Sequence, residues 1–114
     1  SGELREVARV PKALLREGQP HRVTYPPFDI VVVHKEGAYF ALEDACNHAG
    51  ASLAEGDVDE GGRIRCPVHG YLFDLATGRL VAPRGLCADQ RTFVVREVGD
   101  EVVVYEADRV VLLG

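Results

Sequence analysis

The stretch RIRCPVHGYLFD, residues 63–74, decides the fold because it holds two strand patterns on either side of a turn. Residues 63–65 alternate polar and apolar side chains, and residues 71–74 form a second short segment rich in large apolar residues. Between them Cys66 and His69 share a turn that also contains a proline and a glycine, the residues that favour turns. The stretch therefore predicts a hairpin that presents a thiol and an imidazole from its loop.

A second stretch, ALEDACNHAG at residues 41–50, repeats this combination with Cys46 and His48. It directly follows the strand-like segment 38–42, so this pair also lies in a predicted loop. Two loops from neighbouring hairpins can meet at one tip of a β domain. Two thiolates and two imidazoles would then surround a single centre.

The rest of the chain also favours short antiparallel strands separated by turns, so we predict an all-β domain. Further strands are expected at residues 23–25, 29–34, 38–42, 92–98 and 101–105, with hairpin turns at 35–37 and 99–100. Only residues 11–18 and 51–56 could form a helical turn. The apolar tail DRVVLLG, residues 108–114, is expected to be a last strand packed on the core, with a subunit contact as the alternative.

Composition excludes several classes of function. The chain has 114 residues, which suggests one domain, and a formal net charge of −5 without any basic block, which argues against nucleic-acid binding. No run approaches the roughly 20 apolar residues of a membrane span, so we expect no membrane partner. Three cysteines are an odd number, which favours metal or redox chemistry over a disulfide framework and suggests a cytoplasmic protein.

The donor set narrows the chemistry to two kinds of metal site. Thiolates with imidazoles suit either a structural zinc ion or a Rieske-type [2Fe–2S] centre. Zinc fingers usually keep their cysteines together and their histidines together. Here each loop contributes one of each, which favours the iron–sulfur centre and lets one iron take both cysteines and the other both histidines.

At this point the sequence resembles the Rieske iron–sulfur family. The family motif C-x-H, seventeen residues, C-x-x-H is met by Cys46, His48, Cys66 and His69, and CPVHGYLFDLATG is similar to the family's second loop. The resemblance runs from about residue 28 to residue 105. It implies one [2Fe–2S] cluster per chain, with the two cysteines on one iron and the two histidines on the other.

The resemblance also implies an architecture and a set of neighbouring residues. It implies a single Rieske-type domain over residues 1–114, an antiparallel β-sandwich or barrel with a small cluster-binding subdomain. That subdomain would consist of loops at about 43–51 and 65–72, covered by a proline loop at about 81–85. The residues implied to surround the cluster are Ala51, Val68, Gly70, Tyr71 and Pro83, and those implied to dock partners are His48, His69 and Asn47.

At four positions the sequence differs from the high-potential members of the family, which indicates a low-potential member. Ala51 and Val68 stand where those members carry extra cysteines, and Tyr71 and Phe73 stand where they carry a serine and a tyrosine that hydrogen-bond to the cluster. Fewer hydrogen bonds to the sulfurs favour a potential near the low end of a range of roughly −150 to +300 mV. Cys87 is expected to be a buried or idle thiol.

This pattern resembles soluble Rieske ferredoxins, which pass electrons from a reductase to an oxygenase. We therefore predict a one-electron carrier and not an enzyme, since the sequence shows no evident nucleophile or general base. Two alternatives stay open at this point: a small redox subunit of a larger enzyme, such as a nitrite reductase, and a structural zinc module for protein contacts. His21 and His34 are expected to be ordinary surface or packing residues.

Overall fold

Ten strands form two antiparallel sheets in this computed structural model, which describes residues 3–25, 29–45, 51–68, 70–82 and 88–107. The strands are β1 Leu4–Pro11, β2 His21–Val23, β3 Ile30–Lys35, β4 Ala38–Glu43, β5 Asp57–Val58, β6 Arg63–Arg65, β7 Leu72–Asp74, β8 Leu80–Ala82, β9 Thr92–Val98 and β10 Glu101–Ala107. Single 3₁₀ turns lie at Lys12–Leu14 and Leu53–Glu55.

The larger sheet has six strands in the order β1-β10-β9-β4-β3-β2. Its tight hairpin turns are where the sequence predicts them. Glu36 and Gly37 both have positive φ, 51° and 80°, between β3 and β4, and Gly99 has φ 60° between β9 and β10. Two successive positive φ values are typical of the hairpin turns that match strand twist.

Strand β3 lies between two hydrophobic cores. Ile30 and Val32 face a cluster formed with β1, β4 and β10, whereas Val31 and Val33 face a second cluster shared with the smaller sheet. All four side chains are fully buried. A strand covered on both faces reads as a continuous apolar run, which explains the sequence IVVV at this position.

The smaller sheet consists of β5-β6-β7-β8 and packs against the second core. Ile64 from β6, Phe73 from β7 and Leu42 from β4 are fully buried in that core. Cys66 follows β6 directly and belongs to the same cluster. The packing of the two sheets therefore fixes where the predicted second loop begins.

The all-β prediction is confirmed, and both segments proposed as helical contain only a short 3₁₀ turn. The strand predicted at 23–25 is wrong in its bounds, since β2 spans His21–Val23. Three strands were not predicted: β5 and β8 are only two and three residues long, and the alternation of β1 is interrupted by a bulge between Glu6 and Ala8. The tail predicted as a strand, 108–114, lies outside the described residues.

Candidate metal centre

Five of the ten residues predicted to bind the cluster, to lie beside it or to dock partners are among those that the structure describes. They are Ala51, Cys66, Val68, Gly70 and Tyr71. Cys46, Asn47, His48, His69 and Pro83 lie outside the described ranges, as does Cys87. The set of four ligands therefore stays a prediction. Of these four, the structure describes only Cys66, together with residues that flank the other three ligands in the chain.

The predicted second loop is closed by its own backbone. The Cys66 N–H donates to the carbonyl oxygen of Tyr71 at 2.8 Å, and the Gly70 N–H donates to the Cys66 carbonyl at 3.0 Å. Gly70 has φ 72°, a conformation that side chains with a Cβ disfavour. The loop between β6 and β7 is thus a tight turn that holds Cys66 in one place.

Cys66 is fully buried among apolar side chains. Leu53, Ile64 and Tyr71 belong to its cluster, and the thiol forms no disulfide within the described residues. A thiolate in such surroundings is costly unless a cation compensates its charge. Coordination to a soft metal provides that compensation, so the position of Cys66 fits the cluster that its donor type predicts.

The outer side of the same loop is apolar and faces solvent. Val68 is 51% exposed although it is a large hydrophobic residue, and Pro67 beside it is also exposed. His69 is the next residue in the chain. An exposed apolar side chain next to a predicted ligand fits the docking surface expected there, which stays a prediction.

The chain on either side of residues 46–50 is firmly paired at the base of the predicted first loop. Ala45 and Ser52 form an antiparallel bridge. Asp44 accepts two bonds from the 3₁₀ turn that follows: the Leu53 N–H donates to its carbonyl at 2.8 Å, and the Ala54 N–H donates to its Oδ1 at 2.8 Å. Asp44 therefore satisfies the free N–H groups at the start of that turn.

Arg22 adds a second layer of contacts at this base. Its guanidinium donates to Ser52 Oγ at 2.6 Å and to Glu55 Oε2 at 3.1 Å, and its Nε lies 3.6 Å from Asp44 Oδ2. The Asp44 side chain is only 6% exposed, so this cation offsets a buried negative charge. Sequence reasoning missed Arg22 and Asp44 because their partners are distant in sequence.

The connection that contains the predicted proline loop is also closed at its base. Asp89 Oδ1 accepts from the Leu80 N–H at 2.9 Å, and the Gln90 N–H donates to the Gly78 carbonyl at 2.7 Å. Gly78 has φ 75°, and a Cβ on it would lie 2.1 Å from the Gln90 carbonyl oxygen. Only glycine permits this close approach of two backbones.

Two of the four residues that distinguish the predicted low-potential subclass, Tyr71 and Phe73, are packed in the core. Phe73 is fully buried, and Tyr71 is 7% exposed in the same cluster as Cys66. The Phe73 ring has no hydroxyl to donate. The low potential that follows from this stays a prediction.

Within the described ranges, no three histidine, cysteine, aspartate or glutamate side chains lie close enough together to hold a metal ion. No second candidate metal site therefore competes there with the one centred on Cys66. In the same ranges, no helix has the length and the apolar character that crossing a bilayer requires.

Comparison with known families and proteins identifies the chemistry. The Rieske [2Fe-2S] domain family matches residues 6–87. The ferredoxin component of biphenyl 2,3-dioxygenase from Rhodococcus jostii is 36% identical over 90 residues, which cover 79% of this chain and 82% of that protein. The ferredoxin subunit of 3-phenylpropionate/cinnamic acid dioxygenase from Photorhabdus laumondii is 38% identical over 65 residues, 57% of this chain and 61% of the relative's length.

Solved structures show the same fold. The complex of reduced oxygenase and oxidized ferredoxin in carbazole 1,9a-dioxygenase contains a chain with TM-score 0.77 and 31% identity. The alignment covers 85% of this chain and 99% of that one. A nitrite reductase small subunit from Mycobacterium tuberculosis has TM-score 0.74 over 93% of this chain and 96% of its own, but its 18% identity shows the fold alone.

Proposed function

This chain belongs to the Rieske [2Fe-2S] domain family, and on that premise we propose that it carries single electrons from a reductase to an oxygenase. The observation that carries the proposal is Cys66, which is fully buried and held in a backbone-closed loop within the matched segment. The relatives in Rhodococcus and Photorhabdus are named as ferredoxin components of dioxygenases.

Four side chains would hold the cluster: Cys46, His48, Cys66 and His69. Alternating cysteine and histidine donors suit a centre in which one iron has two thiolates and the other has two imidazoles. When bound, such a cluster supplies a couple that gains and loses one electron at a time. One cluster per chain uses all four of these donors and leaves Cys87 without a role in binding.

The chain's own contribution is to hold this group rigidly and to keep water from its cysteine side. Leu53, Ile64 and Tyr71 form an apolar wall at Cys66. The backbone bonds between Cys66, Gly70 and Tyr71 limit movement of the second loop. A rigid, dry site needs little rearrangement when its charge changes, which favours fast electron transfer.

The partner surface in this proposal is the tip formed by the two loops. Val68 contributes exposed apolar area there. On this proposal His48, His69 and Asn47 would contribute polar groups, and Pro83 would lie at the border. A small patch of this kind suits a transient complex, which electron carriers need because they must leave each partner. The ferredoxin in the carbazole 1,9a-dioxygenase structure is in complex with its oxygenase.

The test is electron delivery to an oxygenase. The protein is reduced anaerobically, mixed in a stopped-flow instrument with the oxygenase of biphenyl 2,3-dioxygenase, and followed by its visible absorption. We expect reoxidation whose rate rises with oxygenase concentration, and none from Cys66→Ser, which should lack the chromophore. A reduced protein that no oxygenase of this class reoxidises would contradict the proposal, and stable co-purification with a large reductase would favour the subunit alternative.

A further inference from the structure

The side chain of Gln90 reaches the strand that leads into the predicted first loop. Its Nε2 donates to the carbonyl of Glu43 at 2.8 Å and to the carbonyl of Ala45 at 2.9 Å. Gln90 is only 3% exposed, although glutamine is usually a surface residue. A buried amide bound to two backbone carbonyls has a structural task at this position.

That task is to continue the hydrogen bonding along β4 beyond its last backbone bond to the chain segment that leads into β9. Strands β4 and β9 pair through Ala41 with Phe93 and through Leu42 with Thr92, and the Glu43 N–H still donates to the Arg91 carbonyl. Beyond that bond the Gln90 amide contacts carbonyls 43 and 45, two residues apart and hence on one edge of an extended chain. Cys46 is the next residue after Ala45 in sequence.

The backbone of Gln90 is itself fixed, so its side chain is a rigid support. Its N–H donates to the Gly78 carbonyl at 2.7 Å, and its own carbonyl lies so close to Gly78 that a Cβ there would be 2.1 Å away. Gly78 follows β7 by four residues, and β7 follows the loop of Cys66. Gln90 thus joins the chain segment before Cys46 to the sheet that carries Cys66.

We infer that Gln90 is a positioning residue for the cluster: its amide sets where the chain enters the first loop relative to the second. This inference rests on the proposed function, because it assumes that Cys46 and Cys66 bind one cluster. The two N–H groups of the Gln90 amide match these two carbonyls. Glutamate would place negative oxygens against them, and methionine would fill the space without a donor.

The test compares holo-protein variants at Gln90 with matched changes at Gln19, which is exposed. The test variants are Gln90→Met and Gln90→Glu, and the controls are Gln19→Met and Gln19→Glu. Each sample is measured for its EPR g-values and line widths, its midpoint potential, and the rate at which a ferrous chelator removes iron. We expect iron release on the order of tenfold faster in both Gln90 variants, because loss of groups that orient metal ligands weakens binding by about that factor or more.

We also expect the EPR line shape and the potential to shift in the Gln90 variants and to stay at wild-type values in the Gln19 variants. A merely structural role would lower the unfolding temperature of the Gln90 variants and leave g-values, potential and release rate unchanged, which overturns the inference. If Gln90→Met fails to fold by far-UV circular dichroism, Gln90→Asn, which keeps a shorter amide, is judged by the same measurements. Absence of any Rieske signal in wild type would instead refute the proposed function.

Discussion

The N–H of Cys66 and the carbonyl oxygen of Tyr71 lie 2.8 Å apart and close the loop between β6 and β7. This bond fixes a fully buried cysteine directly after β6, whose central residue Ile64 is buried in the same core. The same core contains Tyr71, so the loop is anchored at both ends. Cys66 is thus presented by a rigid frame, which suits the metal ligand that it is proposed to be.

Replacement of Cys66 by serine should abolish the cluster. Serine keeps the size of the side chain but removes the soft thiolate that the metal selects. We expect the visible colour and the bound iron to fall to background when iron is assayed against protein concentration. Cys87→Ser is the matched control and should retain wild-type iron, since Cys87 is not one of the predicted ligands. Full iron in Cys66→Ser, or its loss in Cys87→Ser, would show that the ligands are assigned wrongly.

Two glycines with similar backbone conformations should respond very differently to alanine. Gly62 and Gly78 have φ 78° and 75°, but a Cβ at Gly62 would meet nothing within 4 Å, whereas one at Gly78 would lie 2.1 Å from the Gln90 carbonyl. We expect Gly62→Ala to lower the free energy of unfolding by about 1 kcal/mol, from backbone conformation alone. Gly78→Ala should cost roughly 1–3 kcal/mol more because backbone must move.

Urea unfolding of both alanine variants provides the comparison. Gly78→Ala should also release iron faster, because the shifted backbone carries Gln90 with it. Equal losses of stability in the two variants would mean that the close approach of Gly78 and Gln90 is not present in solution.

The buried carboxylate of Asp44 should contribute more to stability than its exposed partner Arg22. Asp44→Asn keeps the shape and one acceptor oxygen but weakens the bond to the Ala54 N–H, so we expect a loss of about 1–2 kcal/mol in the free energy of unfolding. Arg22→Met should cost about 1 kcal/mol or less, because the Arg22 side chain is 42% exposed and water screens its charge. Thermal and urea unfolding measure both. A larger loss for Arg22→Met than for Asp44→Asn would contradict this order.

Stability at acid pH should depend on Glu106, which lies near the end of β10 in the larger sheet. Burial raises the pKa of this carboxyl, but the hydrogen bond and charge of Arg91, together with those of Arg5, outweigh it and hold the pKa below its ordinary value of 4.5. A carboxyl with a lowered folded-state pKa stabilises the fold at higher pH, and that contribution is lost as pH falls through the folded-state pKa.

The measurement is the free energy of unfolding of wild type and Glu106→Gln from neutral pH to below 4.5. We expect wild type to be the more stable near neutral pH and the difference to shrink as the solution becomes more acidic. A difference that stays constant, or grows towards acid, would show that Glu106 does not stabilise the fold through its ion pairs with Arg91 and Arg5.

The sequence predicts the hairpins and the loop at Cys66 because their signals are local. Gly37 and Gly99 mark turns that need positive φ, and the alternation of Arg63–Arg65 marks β6. Strand β1 is not predicted because a bulge interrupts its alternation of inward and outward side chains. Strands β5 and β8 are too short to show the two-residue period of a strand. The side-chain hydrogen bonds of Asp44 and Gln90 join residues 10 to 47 positions apart, so no local pattern indicates them.

The most direct test of the central claim is the visible absorption and EPR spectrum of the freshly purified protein before and after dithionite. A mixed cysteine and histidine cluster predicts a red-brown oxidised form and, after reduction by one electron, a signal whose average g lies below the free-electron value. A colourless protein with stoichiometric zinc and no EPR signal would contradict the account. The electron-carrier function would then give way to a structural zinc module.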